Sequence, residues 1–131
     1  MTAMKLWLVT GALLGGIGVA AGSFGAHGLK DTLDATGQAA NWETAVRYCL
    51  FHTLAMLVVA VACGLPQTAG CRGVLNAAGW CFLLGTLVFS GFLGTLALTG
   101  IRILGAIVPI GGVLMLVGWA CLAAAGFLAK E

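Results

Sequence analysis

The side chains best suited to chemistry in this sequence crowd into one stretch, NWETAVRYCLFHTLA, residues 41–55. Asn41, Glu43, Arg47, Tyr48, Cys49 and His52 stand there among apolar neighbours. Helical spacing sets Glu43 beside Arg47 and Tyr48 beside His52, because residues at i and i+4 share a face. The first pair is an ion pair in its favourable order, worth about 0.2–0.5 kcal/mol. The second lets the phenol hydrogen-bond the imidazole. An ionisable group at membrane depth marks a proton relay or an ion path, and His52 is the group that fits. Its plainer use is as a neutral ring bonded to a backbone carbonyl or a neighbouring side chain. At about 100° per residue, Arg47 and His52 point about 140° apart, so they do not form one site on one helix.

His27, the second histidine, closes the stretch SFGAHG. A metal or haem would have to draw on His27, Cys49 and His52. Cys49 and His52 at i,i+3 are too few ligands, and the sequence implies neither a metal nor another cofactor. No nucleophile–base pair and no carboxylate dyad occurs, so the chain reads as non-enzymatic.

The elements that position these residues follow from where charge is absent. The chain has 131 residues, 61% hydrophobic and 8% charged, with a mean hydropathy of +1.10. A soluble domain carries about 25% charged residues to wet its surface, so a water-soluble monomer is excluded. A formal charge of +2 with no basic cluster excludes a nucleic-acid partner. Uncharged runs separate Lys5 from His27, Arg47 from Arg72, Arg72 from Arg102, and Arg102 from Lys130. About 20 apolar residues cross a hydrocarbon core about 30 Å thick, and backbone in lipid must bond to itself. The expected fold is therefore all-α, a single domain over residues 1–131 with spans at about 6–26, 42–64, 73–97 and 104–129. Short connections at residues 65–70 and 99–102 make neighbours antiparallel, giving an up-down four-helix bundle. The longer polar segment HGLKDTLDATGQAAN holds a short amphipathic interfacial helix around Leu29 and Leu33, ended by Gly37, with Asn41 capping the next span.

Trp42 suits the headgroup level, which sets His52 about 15 Å deeper, near mid-membrane. An even number of spans puts both termini on one side. Lys and Arg counts tie between the two sides; the reading adopted is a bacterial inner membrane with cytoplasmic termini. The five cysteines form no C-x-x-C pair, and those inside spans read as small packing side chains.

Glycine dominates the first span. Gly11, Gly15, Gly18, Gly22 and Gly25 recur at steps of four and three, which places them along one helix face. Gly16-x-Gly18 also fits a dinucleotide turn, but no strand precedes it. The same segment resembles a signal peptide cleaved after Ala21, yet the glycine face runs on beyond that point. Ser90 and Gly91 in the third span, and Pro109, Gly111 and Gly112 in the fourth, are expected packing or kink positions.

These segments together resemble the small membrane proteins called YgdD in bacteria and transmembrane protein 256 in animals. The stretches that carry the resemblance are residues 22–28 (GSFGAHG), Tyr48-x-x-Phe51-His52-Thr53-Leu54-Ala55, Phe89-Ser90-Gly91, Pro109-Ile110-Gly111-Gly112 and Gly118-Trp119. Ser23, Cys49 and Phe92-Leu93-Gly94 depart from the usual pattern, the last removing a polar tyrosine. The resemblance implies a four-helix integral protein and no established activity. The expected function is a small oligomeric channel or carrier for an ion, proton or small solute. The alternative is a non-enzymatic accessory or assembly subunit of a larger membrane complex, which the glycine face suits. Either way the partners are the lipid bilayer and further membrane helices.

Overall fold

The computed structural model describes residues 1–130. Its elements are α1 (Ala3–Ala26), a short α2 (Lys30–Ala35), α3 (Ala39–Gly64), α4 (Arg72–Thr99) and α5 (Val108–Leu128). Three-ten turns at Pro66–Cys71 and Arg102–Ala106 join α3 to α4 and α4 to α5. Among the described residues there is no strand, and four helices are long and apolar enough to cross a membrane. The four expected spans are present, each extended or shortened by a few residues.

The connections show how each span stops. Gly37 (φ 68°) takes the left-handed conformation after α2, and the Gln38 amide returns to the Leu33 carbonyl at 2.8 Å. Gly100 (φ 70°) does the same after α4, its amide bonding the Leu96 carbonyl at 2.8 Å. The Thr68 hydroxyl closes the end of α3, placed to donate to the Ala62 carbonyl, which also accepts from the Leu65 amide at 3.1 Å, or to the Leu65 carbonyl at 3.1 Å. The α2 helix is the expected amphipathic piece: Leu33 is buried while Lys30, Asp31 and Asp34 are exposed. Lys30 bonds Asp34 at 2.6 Å, and that hydrogen bond and charge hold its ammonium above the ordinary lysine range.

Two expectations are corrected here. Asn41 does not cap α3; the helix starts earlier at Ala39, and Asn41 sits in its first turn donating to Gln38 at 2.8 Å. Pro109 does not kink a continuous fourth span. It lies in the first turn of α5, where its missing N–H has no intrahelical partner to lose. The apolar three-ten turn before it looks like span in the sequence.

The helices pack in series: α1 lies along α3, α3 along α4, and α4 along α5, while α1 and α5 do not pack along each other. The best-filled part of the core joins Trp7, Met56, Val59, Leu75 and Phe82, toward the end of the bundle that holds the α3–α4 connection. Lys130 reaches that connection through its amide, bonding the Gln67 carbonyl at 3.0 Å, and Met4 packs against Gly64 there. Both ends of the described chain therefore gather at one end of the bundle.

Candidate functional site

The expected glycine face is a contact face, and its partner is α3. A methyl group added at Gly11 would meet Leu57, at Gly15 Thr53, at Gly18 Leu50, at Gly22 Val46 and at Gly25 Trp42. These α3 residues also step by threes and fours, so two antiparallel helices mesh along one seam. At Gly25 the approach has a specific use. The missing side chain lets the Trp42 indole lie against α1 and donate to the Ala21 carbonyl at 3.0 Å. The seam that suggested association with other proteins is consumed within the chain.

A second crossing joins α4 and α5. A methyl on Gly111 would come within 2.7 Å of the Gly85 carbonyl, and one on Gly85 within 2.9 Å of the Gly111 carbonyl. Gly111 was an expected packing position; Gly85, and Gly118 beneath the Phe82 ring, were not. Gly112 lies against Phe89 more loosely, and a methyl at Gly91 would meet nothing within 4 Å.

The polar residues of α3 divide. Arg47 bonds Glu43 at 3.1 Å as expected, and both are exposed. His52 is buried, and Tyr48 does not bond it through the phenol: the two rings stack, with centroids 5.9 Å apart. Instead His52 Nδ1 donates to the Tyr48 carbonyl at 2.8 Å, and Trp119 Nε1 donates to His52 Nε2 at 3.2 Å. An indole N–H can only donate, which assigns the ring hydrogen to Nδ1. A neutral imidazole therefore has both nitrogens satisfied. Rings continue on each side: Tyr48 stacks on Phe89 at 4.4 Å, and Phe82 stands edge-on to Trp119 at 5.1 Å. This string ties α3, α4 and α5 together through side chains.

His27 lies exposed past the end of α1, away from this string, so His27, Cys49 and His52 do not converge. Among the described residues no group of His, Cys, Asp or Glu could hold a metal ion, and Cys49 points its thiol toward the Leu14 carbonyl. Arg47, Tyr48 and His52 do share the wall of one lateral groove of about 610 Å³ beside Trp119. It is a surface trough, with Arg47 and His52 bonded to different partners.

Sequence reasoning missed the rest of the polar interior. Trp7, fully buried, donates its indole N–H to Asn76 at 2.9 Å. Between α1, α3 and α4 lies an apolar crevice of about 180 Å³, walled by Gly18, Ala21, Trp42, Gly91 and Gly94. Thr86 and Ser90 line it, and neither hydroxyl has a hydrogen-bond partner. Only Ser90 was among the expected positions, and there for its small size. A single hydroxyl residue inside an apolar run is the signal that Thr86 offered.

All the described charged side chains are exposed, and the four long helices bury an apolar interior between them. That defines the class: a small integral membrane protein of four spanning helices. Residues 21–112 match the family described as "Protein of unknown function (DUF423)", and the chain belongs to that family. It is 45% identical to a UPF0382 membrane protein of Staphylococcus haemolyticus, over 88% of this chain and 90% of that one. A UPF0382 membrane protein of Staphylococcus aureus is 41% identical over 95% and 97% of the two chains. No solved structure matches the chain.

Proposed function

We propose that this protein is a non-enzymatic accessory or assembly subunit that packs its outer helix faces against other membrane helices in a larger complex. One observation carries the reading. Besides the glycine seam spent on α3, α1 has a second stripe of small residues, Ala12, Gly16 and Ala20, which is exposed. A methyl added at Gly16 meets nothing within 4 Å. Small residues four apart let two helix backbones approach in lipid, where packing rather than hydrophobicity drives association. The interior supports the same reading, since among the described residues no charged side chain is buried, and His52 is committed at both nitrogens. The location that goes with it is a bacterial inner membrane with cytoplasmic termini, and the reading extends to the YgdD and transmembrane protein 256 group that the motifs resemble.

Gentle solubilisation of native membranes followed by co-purification tests this. The expected result is a stoichiometric partner that Gly16→Leu releases while helical content stays the same. Recovery of the chain alone or with copies of itself, unaffected by Gly16→Leu, would sink the proposal.

A second reading, an oligomeric channel or carrier, is favoured by the lateral groove in which Arg47, Tyr48 and His52 stand together. A path would then run between copies. Purified protein in liposomes should pass protons or a small ion, and His52→Ala should abolish the flux. Unchanged flux in that variant removes His52 from any such path.

A further inference from the structure

Hydroxyl side chains in apolar helices ordinarily bond back to the carbonyl one turn earlier. Thr95 does so to Gly91 at 2.7 Å and Thr99 to Thr95 at 2.7 Å. Thr86 and Ser90 on the same helix do not, although both oxygens are buried and Thr86 is 2% exposed. Both line the crevice between α1, α3 and α4. An unpaired polar group in an apolar surrounding is costly, so the pair is suited to a ligand that brings acceptors.

The crevice restricts what that ligand is. Its volume of about 180 Å³ is apolar-walled, with the Trp42 ring on one side. An apolar cavity of about 150 Å³ is enough to hold a benzene ring. Ile17 and Leu87, both half exposed or more, belong to its rim, so an attached chain has a way out into lipid. Depth decides between candidates. Thr86 lies midway along α4, roughly 20 Å from either helix end at 1.5 Å per residue. Glycerol-ester carbonyls of bilayer lipids sit at the interface, outside a core about 30 Å thick, and acyl chains carry no acceptor. The acceptors must come from a molecule dissolved in the core itself. Thr86 and Ser90 are one turn apart on one face, where Cβ atoms lie about 5–6 Å from each other, a spacing that suits oxygens on opposite sides of a six-membered ring.

We propose that this crevice binds the head of a carbonyl-bearing lipophile of the quinone class, with its two oxygens accepting from Thr86 and Ser90 and its tail leaving between Ile17 and Leu87. The site lies on the inner side of α1, away from the outer small-residue stripe, so it stands or falls separately from the assembly reading.

The test is equilibrium binding of a radiolabelled decyl-substituted benzoquinone to the intact chain in lipid nanodiscs, with empty nanodiscs subtracted. Saturable binding of one molecule per chain is expected. Gly91→Leu adds bulk at the crevice wall from a position where an added methyl touches nothing, and should abolish binding while the circular dichroism spectrum stays the same. Thr86→Val and Ser90→Ala should each weaken binding about tenfold, or about 1.4 kcal/mol. Decylbenzene, which has the ring and tail but no oxygens, should compete at least tenfold more weakly than the unlabelled quinone. Uptake equal to empty nanodiscs would overturn the proposal. So would saturable binding indifferent to Gly91→Leu, or displacement by decylbenzene as effective as by the quinone.

Discussion

The two ends of α1 meet α4 in opposite ways. Near its start, the Trp7 indole is fully buried, lies against Gly79, bonds Asn76 and stands edge-on to Trp80 at 5.3 Å. Toward its other end, Gly18 and Ala21 share the walls of the crevice with Gly91 and Gly94, and the nearest ring, that of Trp42, stays 3.8 Å from a methyl added at Gly94. Both ends use glycine on α4, but for contrary purposes. Gly79 is bare because an indole occupies the space, whereas Gly91 is bare with nothing opposite it. A glycine in an apolar helix is thus defined by what stands across from it. One end of the bundle is a packed clamp, and the other is an accommodating slot.

The largest expected effect comes from removing the clamp. Trp7→Ala should destabilise the fold by about 3 kcal/mol, the low end for truncating a buried aromatic, because the unfolded reference in lipid is itself apolar. Reversible unfolding in mixed micelles, followed by circular dichroism, measures it. A loss below about 1 kcal/mol would mean that Trp7 is not what holds α1 to α4.

The glycine contrast is sharpened by making one substitution at both ends. A methyl on Gly79 falls within the Trp7 ring, so Gly79→Ala should cost about 1–3 kcal/mol through overpacking. Gly91→Ala meets open space and should lie within about 0.5 kcal/mol of the parent, or stabilise it through the better helix propensity of alanine. Equal effects at the two positions, in the same micelle assay, would erase the distinction between clamp and slot.

How much of this was legible in the sequence depends on the range of the interaction. The spans followed from the uncharged runs alone, since lipid forces such segments into helices. The ion pair of Glu43 and Arg47 and the short α2 are local and were equally readable. Tyr48 was placed correctly beside His52, but the i,i+4 rule selects a face and not an atom, and the nearby carbonyl took the ring nitrogen. The other nitrogen depends on Trp119 from α5, which no local rule supplies. Pro109 was misplaced because the turn at Arg102–Ala106 is nearly as apolar as a span. The glycine seam was recognised, but a periodic face does not name its partner; α3 took it before any other protein could. Trp7 and Asn76 carried a signal that went unused, since an indole N–H and an amide in apolar runs both need bonding partners.

That bond provides the third test. Asn76→Leu keeps the branched shape and the number of side-chain heavy atoms while leaving the Trp7 N–H unpaired in a buried position. A loss of about 1–2 kcal/mol is expected, and Trp7→Phe combined with Asn76→Leu should recover part of it. The double variant separates hydrogen bonding from ring packing. If it is no better than Asn76→Leu alone, the clamp rests on shape, and the polar bond contributes little.

The smallest effect should come with its sign reversed. Thr86→Val removes a hydroxyl that has no partner and keeps the branched shape, so no bond is lost and an unsatisfied group disappears. Stability should be unchanged or rise by about 1 kcal/mol, since removing an unpaired polar atom can be neutral or favourable. Thr95→Val is the matched control on the same helix. It deletes a bond to the Gly91 carbonyl at a more exposed position and should be neutral to slightly destabilising. A packed clamp is tuned for stability, so polar deletions there weaken the fold. A slot that carries an unpaired hydroxyl gives up stability to keep it, and only a substitution that strengthens the fold exposes that cost. If Thr86→Val destabilises more than Thr95→Val, the hydroxyl is bonded in the membrane, and the crevice is as fully committed as the clamp.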